Sequence, residues 1–357
     1  MGLDHGLRTI TVTTNLDPAP ATQQGFDDIL LLVDLASNPL SDQVTTYTSY
    51  PEAVTAQAAG DISAGTLAIL QVMFSQAPRI SRIKVGTVDT AGGDGWDDGY
   101  AASVAADPDF YGVCMASRTA SEVVAVSAAI EAEGLRRLFA QSSDADWLTS
   151  GVPSAYSSIV DNERTAIFFH DTNGQPLAEG YAAAYLVWNP DEQSATSALQ
   201  VRGVTLPATA VTQAQAAFAV ANNANLGGAL GTATCFVEDG EAITGRRLYE
   251  LTSADWLRVR IQEDLANLRV ERSAYGLKIP VSTEGSELVL ARIRRRGQQG
   301  IAAGHFDAFE ARLTDTISAA DIAANRLRHT AVAQLQGDAI YFEMIHNLSR
   351  DPITAEG

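Results

Sequence analysis

Ile29-Leu30-Leu31-Leu32-Val33 is a run of apolar, mostly branched residues bounded by Asp28 and Asp34. A run this short and this unbroken reads as a buried strand. The residues that follow extend the pattern. Ser49-Tyr50-Pro51-Glu52 puts proline in the first turn of a short helix, where its missing N–H costs nothing. A second helix is expected over about 62–76, with Leu67, Leu70, Met73 and Phe74 at helical spacing and Pro78 to stop it. Ile80 to Gly86 reads as the next strand, which makes a β-α-α-β start.

Residues 110–170 repeat the alternation. Phe110 to Met115, Leu138 to Ala140 and Thr165 to Phe169 read as strands. Between them Thr119-Ala-Ser-Glu122 has the form of a capping box opening a helix to about Glu133, and a short helix is expected near Ala155 to Val160. Strands separated by helices of this length imply parallel βαβ units, so 100–195 reads as α/β. The stretch 92–99, Gly-Gly-Asp-Gly-Trp-Asp-Asp-Gly, reads as a solvated loop. Its Asp94, Asp97 and Asp98 lack the spacing and closing Glu of a calcium loop.

After residue 200 the character changes. Gln213 to Asn222 is an Ala-rich helix, Asn225 to Gly231 a turn, Thr232 to Val237 a strand, and Glu238-Asp239-Gly240 a hairpin turn into a strand over Ala242 to Tyr249. Thr252-Ser-Ala-Asp255 then caps a long helix with one apolar stripe, Leu257, Ile261, Leu265 and Leu268. A second helix, about Glu284 to Gln298, carries Arg292, Arg294, Arg295 and Arg296. Strands near 306–317 and 325–335 follow.

Both chain ends carry β-rich runs, and the first has no obvious partner nearby in sequence. Arg8, Thr9, Ile10, Thr11, Val12, Thr13 and Thr14 are almost all β-branched, and residues 15–25 tether them through Pro18 and Pro20 rather than through a hairpin turn. Ala339, Ile340, Tyr341, Phe342, Glu343, Met344 and Ile345 form a second such run. Each either returns to its own sheet or adds to the sheet of another subunit.

The net charge of −19 argues against nucleic-acid binding through the general field. It is unevenly spread: residues 1–200 hold 8 Lys/Arg against 25 Asp/Glu, a net −17, while residues 201–357 hold 16 against 18, a net −2. The arginine helix is either a solvated face or a contact with an acidic partner. The longest apolar runs are far too short to span a bilayer, and residues 1–6 lack the basic and apolar regions of a signal peptide. Cys114 and Cys235 sit in separate apolar runs and read as buried thiols.

Catalytic signals are sparse. Gly151-Val-Pro-Ser154-Ala155 lacks the closing glycine of a nucleophile elbow, and Gly227-Gly228-Ala-Leu-Gly231 has no Lys-Ser/Thr after it. His5, His170, His305, His329 and His346 are scattered without metal-ligand spacing. An α/β ligand- or nucleotide-binding enzyme would use the 117–122 loop, where a strand hands over to a helix, or His170-Asp171 at a strand end; Glu122 in that loop repels a phosphate. No metal or cofactor is expected.

Several segments, in order, resemble the tail-sheath proteins of contractile bacteriophages: Tyr50-Pro-Glu-Ala-Val54, Leu67 to Pro78 with its Phe-Ser-Gln-Ala-Pro ending, Ile83-Lys-Val-Gly86, Gly203-Val-Thr-Leu206, the Asn222–Asn225 turn, Ser253 to Arg260, and Gly337 to Glu343. The resemblance implies an α+β / α/β multidomain chain with a discontinuous core domain built from both chain ends, an inserted α/β domain and extended terminal β arms. The corresponding divisions are a 1–25 arm, core 26–99, inserted outer domain 100–198, core 199–336 and a terminal strand and tail 337–357. It implies a non-enzymatic virion protein, assembled in the host cytoplasm, that forms stacked hexameric rings around a tail tube. Its partners would be copies of itself, the tube, and baseplate and terminator proteins, with no direct nucleic acid and no membrane insertion. The arms 8–14 and 339–345 would exchange between subunits. The arginine helix has no counterpart in the resemblance; that Arg292, Arg294, Arg295 and Arg296 face an acidic tube is a separate expectation from their charge. A different self-assembling tail component is the nearest alternative within the structural class.

Overall fold

The structure, a computed structural model, describes residues 25–230, 233–314, 316–323 and 327–337; the terminal strands expected at 8–14 and 339–345 lie outside them. The apolar run forms β1 (Ile29–Asp34), and Ile29 to Val33 are wholly buried. Alternation sends Ile29, Leu31 and Val33 into one core and Leu30 and Leu32 into another on the opposite face. That is why no polar residue interrupts the run. β2 (Val44–Tyr47), α1 (Tyr50–Ala59), α2 (Ala64–Phe74) and β3 (Ile83–Val88) follow, with β3 parallel to β1 and β2 antiparallel to β3.

The chain then crosses to the other side of β1. α3 (Trp96–Ala106) leads to β4 (Gly112–Met115), which pairs parallel with β1; α4 (Ala120–Glu133), β5 (Arg137–Ser142) and β6 (Thr165–Phe169) continue outward in parallel. α5 (Leu177–Tyr185), β7 (Leu199–Gln200), α6 (Gln213–Ala221), β8 (Ala224–Leu230) and β9 (Ala233–Val237) complete one sheet, in the order β2-β3-β1-β4-β5-β6-β8-β9-β7. α2 and α5 cover one face and α3, α4 and α6 the other. The strands of 100–198 therefore extend the sheet that residues 29–88 begin and form no sheet of their own, because the free edge of β1 pairs with β4.

Five local expectations are corrected. Within 92–99, Trp96 to Gly99 already belong to α3, whose first turn is capped when the Asp98 carboxylate accepts the Gly95 N–H at 3.1 Å. Asn225 to Leu230 is strand rather than turn; Gly227 lies so close to Cys235 that a Cβ would come within 2.5 Å of its Sγ, so glycine here marks sheet packing. Residues 242–249 make a turn through Gly245 (φ 76°) and then enter a helix, with a lone Glu241–Arg247 bridge in place of a strand. Thr252 to Asp255 do not cap that helix: α7 (Leu248–Ala274) starts four residues earlier and buries all of them except Ala254. At α4, Thr119 occupies the cap position without a side-chain hydrogen bond.

α7, of 27 residues, packs its predicted apolar stripe on the sheet-covering core, and α8 (Thr283–Ala302) folds back along it. β10 (Phe306–Leu313) and β11 (His329–Leu335) form a separate antiparallel ribbon, with α9 (Ala319–Ala323) in the connection. The ribbon lies against α8 because Gly297 and Gly300 leave room for aromatic rings: a Cβ on Gly297 would stand 1.9 Å from Phe309, and one on Gly300 2.5 Å from Phe306. Gly297→Ala gains ~1 kcal/mol of helix propensity but overpacks this contact at a cost of about 1–3 kcal/mol. We predict a net loss of stability in chemical denaturation; a stability at or above that of the parent contradicts the packing described.

Candidate assembly interface

Among the contacts that join the hairpin α7–α8 to the sheet is a cluster on one buried carboxylate. Asp255 Oδ2 accepts from Tyr111 Oη at 2.7 Å, Arg137 Nη2 at 2.7 Å and Arg164 Nη1 at 3.0 Å, and Oδ1 accepts from Arg164 Nη2 at 2.8 Å. Arg137 also donates its Nε–H to Tyr111 Oη at 2.6 Å. The side chains of Asp255 and Arg137 are 6% and 2% exposed. Burial pushes the Asp255 carboxyl up, but the Arg137 and Arg164 charges and the Arg164 hydrogen bond outweigh this and hold it below its ordinary 3.8. Tyr111 and Arg137 come from the start of β4 and β5, so one helix residue ties together two neighbouring strands of the sheet.

A second network runs along the hairpin. Asp191 accepts bidentately from Arg260 at 2.9 and 2.7 Å and from Trp256 Nε1 at 2.9 Å. Burial raises its pKa, and the hydrogen bonds from Arg260 and Trp256, with the charges of Arg260 and Arg296, bring it net below 3.8. Arg260 also stacks over Phe26, 5.4 Å from the ring centroid. His305 bridges Ser253 Oγ (2.8 Å) and the Pro190 carbonyl (2.6 Å) and stacks on Trp256.

The four arginines singled out in the sequence are brought together on α8, and each has a partner within the chain. Arg296 makes a bidentate pair with Asp264 of α7 at 3.0 and 2.8 Å. Arg295 reaches the same carboxylate at 3.1 Å, and Arg292 reaches Glu271 at 2.5 Å. Arg294 donates to Glu287 at 3.2 Å and to the Ala311 carbonyl at 3.3 Å. The side chains of Arg294 and Arg295 remain 50% and 60% exposed, whereas Arg296 is 15% exposed. The acidic partners on α7 were not singled out in the sequence; the signal was Asp264 and Glu271 on the helix preceding the arginine run.

The ribbon β10–β11 has open edges. Among the described residues neither strand pairs with a third, so each keeps one free backbone edge.

The loop 117–122 and His170 have structural partners. Ser117 Oγ donates to the Glu122 carboxylate, and the Arg118 guanidinium is held by the Met115 carbonyl at 2.6 Å and the fully buried Glu179 at 2.6 Å. His170 accepts the Thr172 N–H at Nδ1 (3.0 Å) and its Nε2 lies 2.9 Å from the Thr205 carbonyl, while Asp171 accepts the Ala208 and Thr209 N–H groups. Among the described residues no three His, Cys, Asp or Glu side chains are grouped to hold a metal ion, and no helix is long and apolar enough to cross a membrane.

No protein-family profile matches the sequence, and no characterised protein matches it either. Solved structures do match. The helical sheath of the anti-feeding prophage in its contracted state superposes with a TM-score of 0.62 at 13% identity, over 98% of this chain and 100% of the other. The chain has the fold of a contractile sheath protein. The contracted sheath of an extracellular contractile injection system, PVC, gives 0.55 at 13% identity over 97% and 96% of the two chains. A sheath tail protein from Desulfitobacterium hafniense gives 0.54 at 10% identity over 91% and 100%. At these identities the sheath fold is shared through architecture rather than through sequence.

Asp255→Asn leaves the buried Arg137 and the partly buried Arg164 without their counter-charge, and breaking a buried pair costs about 3–5 kcal/mol. Because the folded-state pKa is depressed, the carboxylate contributes stability above its unfolded value near 3.8 and loses it as pH falls below that toward the folded value. Denaturation midpoints of the parent should therefore drop on acidification below about pH 4, and that component should be absent in Asp255→Asn. An Asn variant as stable as the parent contradicts the role given to this residue.

Proposed function

We propose that this chain is a structural subunit of a contractile sheath, polymerising as stacked six-fold rings around a tail tube and shortening to drive the tube through a host envelope. The observation that carries the reading is the fold match to a helical sheath over 98% of this chain. Particles of this kind are phage tails or tail-like injection systems, assembled in the producing cell. Baseplate and terminator proteins are the expected partners at the two ends.

In this reading the terminal strands 8–14 and 339–345 supply what the β10–β11 ribbon leaves open. A strand from a neighbour adds main-chain hydrogen bonds to a free edge, and its tether keeps the connection while subunits rotate. Free edges are an aggregation hazard in a monomer and an assembly device in a polymer. The buried Asp255 junction fits the same demand, since rings that rearrange need subunits that move as rigid bodies. The exposed Arg294 and Arg295, with Arg292 and Arg296 behind them, form the surface we assign to an acidic tube. Their internal partners leave both guanidinium groups half or more in solvent.

Two experiments test the reading. Sedimentation of the full chain beside a chain lacking residues 1–16 should give large polymers from the first and small species from the second. Polymers from both would remove the N-terminal arm from the account. Arg294→Glu with Arg295→Glu should weaken docking to a tube while sparing polymerisation, and unchanged docking contradicts the tube contact.

A further inference from the structure

Seven large apolar side chains stand out as exposed among the described residues, and five of them fall in two places. One place is the tip of the α7–α8 hairpin. The last buried residue of α7 is Leu268, and residues 273–278 are all exposed, so the tip overhangs the body of the protein. It carries Val270, Tyr275 and Leu277 at 61%, 82% and 51% exposure. The tip is held in shape, because the Arg272 carbonyl accepts the Tyr275 and Leu277 N–H groups at 3.2 and 2.9 Å and Arg272 Nη2 donates to the Lys278 carbonyl at 3.0 Å. An ordered turn that presents an aromatic and an aliphatic side chain to water is a feature of contact surfaces rather than of free ones.

The other place is a groove of about 490 Å³ at the far end of the sheet, between the segment 206–211, α6 and the β8–β9 hairpin. Leu206, Val211, Val220, Leu226, Leu230 and Phe236 line it, and Leu206 and Leu230 are 38% and 48% exposed. Its rim is acidic, with Glu238 exposed and Asp239 beside it, paired at 3.7 Å with Arg247. The tip is flanked by Arg272 and Lys278. Residues 248–302 as a whole hold nine Lys/Arg and seven Asp/Glu, a net +2 in a chain of net −19. The knob is therefore apolar with a basic flank, and the groove apolar with an acidic one.

We propose that the hairpin tip of one copy seats Tyr275 and Leu277 in the groove of a second copy, with Lys278 set against Glu238. The contact joins two different surfaces of the same chain, so it is head-to-tail and propagates into a ring or a helix rather than closing a dimer. It rests on the self-assembly part of the sheath reading and adds a lateral contact independent of the terminal arms.

The test is a charge exchange in the full chain, read by sedimentation velocity. Lys278→Glu alone and Glu238→Lys alone should each weaken self-association by about tenfold or more. The two together in one chain, or the two single variants mixed, should recover it. Tyr275→Ser with Leu277→Ser should weaken it too and resist rescue by either charge change. Circular dichroism unchanged from the parent shows that each variant folds, as expected for exposed positions. Association equal to the parent in the single variants, no recovery in the exchanged pair, or a parent that does not self-associate overturns the proposal. Tubes of normal width from the double-serine variant would reject this contact and leave the sheath reading intact. Association that depends on this contact yet never builds tubes would reject the sheath reading and leave the contact.

Discussion

Tyr111, Arg137 and Arg164 converge on the Asp255 carboxylate almost out of reach of water, and that junction orients the start of α7 against the sheet. One apolar core runs from the α2 and α5 face of the sheet through the hairpin to the ribbon. Apolar burial along Leu257, Ile261, Leu265 and Leu268 supplies adhesion, which is non-directional. The ion cluster adds direction, since two guanidinium groups and a phenol satisfy one carboxylate only at one rotation and one height of α7.

The parallel body of the fold was legible because parallel strands covered on both faces read as unbroken apolar runs. β1 and β6 announce themselves in this way, and β3, though it carries Lys84, still reads as strand. The antiparallel end was harder. Gly227 and Gly228 look like a turn, yet the strand is made by β6 on one side and β9 on the other, and only the sheet shows why a side chain there would strike Cys235. Thr252 to Asp255 looks like a cap because caps and buried ionic junctions use the same residue types. What separates them is the arginine found in space, 118 residues away in the case of Arg137.

The arginine run shows a similar limit. A sequence reveals that Arg292, Arg294, Arg295 and Arg296 share a helix, but not that Asp264 and Glu271 lie across from three of them. Internal pairing and outward exposure coexist here: Arg296 is mostly a strut between helices, while Arg294 and Arg295 retain solvent-facing charge. The terminal runs 8–14 and 339–345, read as strands from the sequence, lie outside the described residues; among those residues the outer edges of β10 and β11 are unpaired.

A sheath fold shared at 13% identity shows an architecture whose geometry survives extensive replacement of sequence. The central claim is that this geometry is used for polymerisation. Electron cryo-microscopy of the purified full chain tests it most directly. The account predicts hollow tubes whose end-on views show six-fold rings and whose subunit density fits the described residues with hairpins and ribbons at the contacts. Dispersed single subunits at high concentration, or filaments in which the ribbon edges and the hairpin face solvent, would contradict it.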